Sequence, residues 1–175
     1  MRHGAPATPG LLLGRTDAPA TADGIAACHA AAATIGGRVI VASDLIRARD
    51  CAPRAPRIDP RWRELDFGDW DGRSPAAIPP DRLSLFYDDP DTHAPPNGET
   101  WSALTARIAA ALDDCAPDTL VVTHGGAIRA ALAVTCGFGT RQVWAFHLPY
   151  AAILSLRCWL GGGTGIRGQI IGLRT

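Results

Sequence analysis

The 175-residue sequence predicts an α/β fold, with helices packed on a mainly parallel central sheet. Two apolar runs, Val39–Val41 and Leu120–Val122, are short and continuous rather than alternating, as in strands buried on both faces. Segments of helical character separate and follow these runs, so helix and strand alternate through the middle of the chain. Each run ends in polar residues and then a helix start, the arrangement by which open α/β sheets present ligand sites beyond the carboxyl ends of their strands.

The elements follow in order. TADGIAACHAAAATIGG (21–37) reads as a helix, with Thr21 as its cap and Gly36 and Gly37 ending it. RVIVAS supplies the first buried strand. SDLIRARDCA (43–52) is read as helical, starting at Ser43 or Asp44. From Pro53 to Pro96 the chain is rich in proline and aspartate, which predicts strand fragments, loops and one short helix near Arg82–Tyr87. TWSALTARIAAALDDCA then places Trp101, Leu104, Ile108, Leu112 and Cys115 on one helical face, with Thr100 just before it. TLVVTH is the second buried strand, and GGAIRAALAVTCG a mostly apolar helix. AAILSLRCWL and IRGQIIGLRT flank a glycine-rich turn and read as a closing hairpin.

This length is most simply a single domain, 1–175. Nearly half of the residues are apolar, which excludes a disordered chain, and no apolar run approaches membrane-spanning length. The start lacks a secretion signal, so a cytoplasmic protein is expected. Formal charge is zero and the cations are scattered, so neither nucleic acid nor a membrane is expected as a partner. All 17 basic residues are arginines, so any oxyanion clamp must use guanidinium and its two-pronged geometry. Cys28, Cys51, Cys115, Cys136 and Cys158 are odd in number and contain no CxxC pair. They are read as small buried hydrophobes; neither a disulfide framework nor a metal site is expected.

Polar groups gather at three predicted sites. Val39–Val41 leads to Ser43, Asp44 and, one helical turn in, Arg47. Leu120–Val122 leads to Thr123 and His124. The chain start carries Arg2 and His3. Glycine follows each of these histidines, where a ligand can approach the backbone closely. The N–H groups of Gly125 and Gly126 open a helix and suit an anion. Two histidines, two arginines and a helix start would thus converge on something negatively charged. Glu64, Asp66, Asp69 and Asp71 are the acids available to move a proton, and spacing does not choose among them. His29 and His147 are read as structural, and His93 lies in the polar insertion. Glu99 is read as a tether or cap at the start of the following helix.

The order of RHG, SDLIRARDCA, WRELDFGDWDG, PPNGETW and VVTHGGAIRA resembles the histidine phosphatase superfamily, with its phosphoglycerate-mutase-like three-layer fold. Within it, GRTDAP and LDFGDWDG look most like α-ribazole phosphatases, which implies α-ribazole 5′-phosphate in cobalamin assembly as substrate. The resemblance implies His3 as nucleophile, forming a phosphohistidine. One ring nitrogen must then be free, so the other should donate to a backbone carbonyl. Arg2, Arg47, His124 and Gly125 would hold the phosphoryl oxygens, with His124 protonated beside the dianion. Glu64 matches the position of the acid that protonates the leaving alkoxide, and no cofactor or metal is implied. The alternatives are a phosphoglycerate-mutase-type phosphotransferase, against which the short stretch 74–96 argues, and a non-catalytic phosphometabolite binder. Only Met1 precedes Arg2, where the resemblance implies a strand of several residues near mid-sheet. A natural start upstream of Met1 is expected in preference to a true truncation.

Overall fold

The computed structural model describes residues 1–36, 39–160 and 165–175. Its helices are α1 (Ala22–Ala33), α2 (Ile46–Arg49), α3 (Pro80–Asp88), α4 (Trp101–Asp113), α5 (Gly125–Cys136) and α6 (Thr140–Trp144). Its strands are β1 (Val39–Ala42), β2 (Arg57–Ile58), β3 (Thr119–Val122), β4 (Ile153–Leu160) and β5 (Ile166–Arg174). Three single 3₁₀ turns lie between β2 and α3.

β2, β1 and β3 form a parallel sheet in that spatial order, with Val39–Ala42 in register with Thr119–Val122. The two apolar runs are continuous because both faces of this sheet are covered. Ile40, Ala42, Leu120 and Val122 pack with Cys28, Ala32, Ala48 and Cys51 of the α1–α2 side. Val41 points the other way, into a core built from Leu104, Ile108, Ala127, Ala131 and the tryptophans 62, 70 and 101. The result is three layers, helix, sheet and helix, in a mixed α/β fold. Leu104 and Ile108 are fully buried on the predicted face of α4, where truncation to alanine costs roughly 2–5 kcal/mol. No helix among the described residues is long and apolar enough to cross a membrane.

β4 and β5 form the expected antiparallel hairpin, with a bulge at Ser155/Leu156. The glycine-rich turn expected between them falls on 161–164, outside the described residues, as does the helix end expected at Gly37. Residues 1–3 join hairpin and sheet. The Met1 ammonium donates to Val121 O and Thr123 N to Met1 O, at 2.6 and 2.9 Å, while His3 N donates to Thr123 O. On the other side Arg2 N donates to Ala152 O and Ala151 N to His3 O. These residues stand where a central strand was expected, and a groove of about 770 Å³ is lined by Met1, Leu120, Val121, Ile153 and Leu156.

Four local readings need correction. α1 ends at Ala33 with Thr34 as its C-cap, three residues before the glycine pair; its cap, Thr21 accepting from Gly24 N at 3.0 Å, is where it was placed. The 43–52 segment is one short helix that starts at Ile46. Asp44 is drawn into an ion pair with Arg63, and Ser43 Oγ accepts from Leu45 N, so neither caps it. α6 was not foreseen, because TRQVW is too short to show a period. Nor are all the cysteines buried: Cys115 and Cys136 are half-buried, and Cys158 lies exposed on the hairpin.

Candidate active site

β1 and β3 run in the same direction, and the polar residues after both emerge at one end of the sheet. Residues 1–3 lie parallel beside β3, with Arg2 bridged to Thr123. That pairing brings two histidines 121 positions apart into contact. The ring centroids of His3 and His124 are 5.0 Å apart, with planes inclined at 59°.

His3 is buried, and its Nδ1 lies 2.6 Å from Gly4 O. This is the contact expected of a ring whose Nδ1 carries the proton and whose Nε2 keeps its lone pair. Burial pushes its pKa down to about 3; the Gly4 carbonyl opposes that, and the charges of Arg47 and Arg2 add to it. His124 is completely buried, and neither ring nitrogen has a hydrogen-bond partner among the described residues. Desolvation first, then His3, Arg47, Arg107 and Arg2, hold it well below the usual imidazole value. The expected imidazolium therefore requires a dianion beside it; the surroundings supplied by the protein itself favour the neutral ring.

Two guanidiniums, those of Arg2 and Arg47, flank the pair. Arg2 donates from Nη1 to Leu148 O at 2.6 Å and stacks on Tyr150, 4.1 Å from the ring centroid. Arg47 is fully buried and spends Nη1 on Thr16 O and Nη2 on Leu13 O and Gly14 O. It thereby fixes the 13–16 loop, which Asp71 grips from the other side by accepting from the N–H groups of Gly14, Arg15 and Thr16. Nε of Arg2 and of Arg47 is buried and has no partner among the described residues, a costly arrangement unless a ligand completes it.

The first turn of α5 is built around its two glycines. His124 takes the N-cap position with no side-chain capping bond. A Cβ on Gly125 would sit 3.2 Å from Arg129 Nη1 and 3.7 Å from Arg2 Nε. A Cβ on Gly126 would collide with Glu64, whose Oε2 accepts from Gly126 N at 3.1 Å while Oε1 accepts from Leu65 N. Glycine at both positions lets an arginine pair and a carboxylate close over the helix start. Glu64 is presented there by Arg107, which donates to the carbonyls of Arg61, Arg63 and Glu64 while its Nε and Nη2 grip both oxygens of Glu99.

The structure thus brings together Arg2, His3, Arg47, Glu64, His124 and Gly125. Asp66, Asp69 and Asp71 lie in the adjoining loops and hold backbone or neighbouring side chains. Glu99 tethers Arg107 and Asp66 N, and Thr100 is the cap of α4. His29 meets Ala52 O; His93 and His147 are exposed. Sequence reasoning missed Arg107, Arg129, Trp144 and Tyr150. Arg129 was detectable in principle, since it follows Gly125 by four positions and so shares its helix face. Arg107 carries no such signal, because its partners lie in other segments. Among the described residues no cluster of three or more His, Cys, Asp or Glu side chains could hold a metal ion.

Comparison with known proteins places this geometry. The family model described as histidine phosphatase superfamily (branch 1) matches residues 1–167. A Hydrogenobacter thermophilus protein assigned as phosphoserine phosphatase 2 is 26% identical over 106 residues, 57% of this chain and 52% of its own. Glucosyl-3-phosphoglycerate phosphatase of Mycobacterium tuberculosis is 33% identical over 146 residues, 69% of this chain and 61% of its own. The chain thus matches only about half to three-fifths of the length of these curated relatives. The solved mycobacterial glucosyl-3-phosphoglycerate phosphatase superposes with a TM-score of 0.82 at 26% identity, covering 97% of this chain and 94% of that one. A phosphoglycerate mutase from Thermus thermophilus superposes with a TM-score of 0.72 at 29% identity, covering 87% and 88%.

Proposed function

The chain belongs to the histidine phosphatase superfamily, and we propose that it is a metal-independent phosphomonoesterase acting on a small phosphorylated metabolite through a phosphohistidine. The observation that carries this reading is the buried imidazole pair, 5.0 Å apart, inside a shell of guanidiniums. Nε2 of His3 attacks phosphorus, forming a P–N bond as the P–O bond to the leaving group breaks. Glu64 gives its proton to the departing alkoxide. The same carboxylate then takes a proton from water as that oxygen attacks phosphorus and the P–N bond breaks, releasing inorganic phosphate and neutral His3. Arg2, His124 and the Gly125 N–H face the phosphoryl oxygens, and Arg47 contributes through Nε and the N–H that its loop carbonyls leave over. Each charge-assisted contact is worth about 1.5–3 kcal/mol, and only the part that grows toward the transition state speeds the reaction.

For the substrate, the sequence motifs support α-ribazole 5′-phosphate. The names of the relatives add phosphoserine and glucosyl-3-phosphoglycerate. The test is phosphate release from an aryl phosphate and from these three esters, with EDTA present, by wild type and His3→Ala. Release by wild type alone, with label from a radiophosphate ester trapped on His3, supports the reading; equal release by both proteins would overturn it. Transfer of that label to a second metabolite in preference to water would favour a phosphotransferase.

A further inference from the structure

Arg129 is a fixed cation that a single phosphoryl group does not account for. It lies on α5, one turn beyond Gly125, with Nη1 3.2 Å from where a Gly125 Cβ would stand. Its guanidinium lies over Trp144 of α6, 4.6 Å from the ring centroid. One bond, Nη2 to Phe146 O at 3.3 Å, is its hydrogen bonding among the described residues; its buried Nε has no partner. No carboxylate forms an ion pair with it among the described residues. The charged groups that bear on it are Glu64, Arg2 and the Tyr87 phenol, and burial lowers its pKa. Tyr87 of α3 meets Trp144 edge-on at 5.1 Å. Arg129, Trp144 and Tyr87 thus form one wall, from three helices, on the side of Glu64, where the leaving group must depart if Glu64 protonates it.

A desolvated guanidinium beside a second one is unfavourable unless an anion joins them. The phosphoryl group already has Arg2, Arg47 and two histidines. Resting on the phosphatase reading above, we propose that Arg129 binds a carboxylate carried by the leaving group, so that the preferred substrates are phosphate esters of hydroxy acids. One planar fork, backed by an indole face, matches the two oxygens of a carboxylate. A second phosphate dianion fits less well, because it would bring more negative charge against Glu64, which accepts from Gly126 N at the start of the same helix.

The test compares 3-phosphoglycerate with glycerol 3-phosphate, which differ only in carboxylate against hydroxymethyl, and with propane-1,3-diol bisphosphate. Wild type should show at least tenfold higher kcat/KM for the acid than for the alcohol, carried mainly in KM. Arg129→Met should reduce that ratio at least tenfold, and Arg129→Lys, which keeps the charge but loses the fork, should fall between. A flat ratio in wild type, or a ratio unmoved in Arg129→Met, would overturn the inference and leave Arg129 as a prop for residues 144–146. Preference for the bisphosphate would overturn the carboxylate assignment. Calorimetry with the same compounds on His3→Ala protein reads binding without turnover. Carboxylate-selective binding that depends on Arg129, in a protein whose wild type releases no phosphate, would uphold this inference while ending the phosphatase reading. Turnover without selectivity would do the reverse. If Arg129→Met fails to fold, the wild-type and Arg129→Lys ratios decide.

Discussion

Two arginine neighbourhoods lie side by side in this protein, and they are built on opposite rules. Around Arg61 and Arg107 every guanidinium has a carboxylate: Asp59 and Asp114 for Arg61, Glu99 for Arg107, with remaining donors on backbone carbonyls. Around Arg2, Arg47 and Arg129, among the described residues, the donors go only to carbonyls and all three buried Nε atoms have no partner. The first neighbourhood is complete as it stands. The second carries positive charge in excess of its own acids, Glu64 being the carboxylate among them, and two neutral histidines at its centre. A protein keeps such an arrangement at a cost in stability where function requires it, and here the excess is matched to an oxyanion. The difference gives a criterion that needs no knowledge of the ligand: ask which buried cations are left unfinished.

Substitutions should therefore separate the two neighbourhoods, and the largest effect belongs to the unfinished one. His3→Ala should lower phosphate release by about 10⁴-fold or more, the scale on which loss of an attacking group acts. Its thermal stability should stay equal to wild type or rise, because a desolvated ring is removed from between two guanidiniums. A His3→Ala protein that keeps its activity would contradict the role of nucleophile; one that unfolds would place His3 with the structural charges instead.

Glu99→Ala should do the opposite. It leaves the part-buried Arg107 without its carboxylate, a defect worth about 1–3 kcal/mol, and denaturant melting should show that loss directly. Activity should fall as well, because Arg107 holds the carbonyl of Glu64. Glu99→Gln, which keeps one acceptor for Arg107, should recover part of the stability. Equal melting of wild type and Glu99→Ala would show that the finished neighbourhood was never a structural anchor.

How far the sequence could reveal this contrast follows from chain distance. The two buried runs, the α4 face, the cap at Thr21 and the helix start after Thr100 are local patterns, and they are legible in apolar spacing and turn chemistry; the spatial order β2-β1-β3 is not. His3, His124, Arg2, Arg47 and Glu64 were legible because each belongs to a short motif with fixed order. The partners of those residues were not. Arg107 reaches carbonyls more than forty positions away, and Tyr150 meets Arg2 across the sheet, contacts that have no sequence period. The short α2 was misread because its start is set by Asp44 pairing with Arg63, a tertiary contact that overrides the local capping signal. Arg47 was read as a phosphate ligand alone, and its bonds to the 13–16 loop, which the structure adds, could be seen only once that loop was in place.

Acid should act on the unfinished neighbourhood before the finished one. His3 titrates near pH 3 in the folded chain and His124 well below 6.5. In the unfolded chain both take protons near 6.5. Between those values the unfolded state binds more protons, so folding stability is full above about pH 6.5 and declines as pH falls toward 3. His124→Gln should make that decline shallower from about pH 6.5 downward. An apo protein whose melting temperature is constant from pH 7 to 4 would mean that the histidines are not desolvated.

The smallest effect is also the most specific. If the cradle is completed by an anion, ligand binding must reverse the penalty on His124, since a neighbouring dianion favours the imidazolium. Sulfate suits this test because it is tetrahedral, carries two charges and does not itself titrate between pH 5 and 8. Its binding should take up one proton and tighten as pH falls, by at most about tenfold per unit, or ~1.4 kcal/mol. Calorimetry in buffers of differing ionisation heat reads the proton directly. The uptake should vanish in His124→Gln; if it persists there, the proton goes to His3 and the two imidazoles exchange roles. Glu99→Gln, altered only in the completed neighbourhood, should keep the slope while melting lower. A pH-independent sulfate affinity in wild type would show that these guanidiniums need no help from an imidazolium, and the division between the two neighbourhoods would then rest on arginine alone.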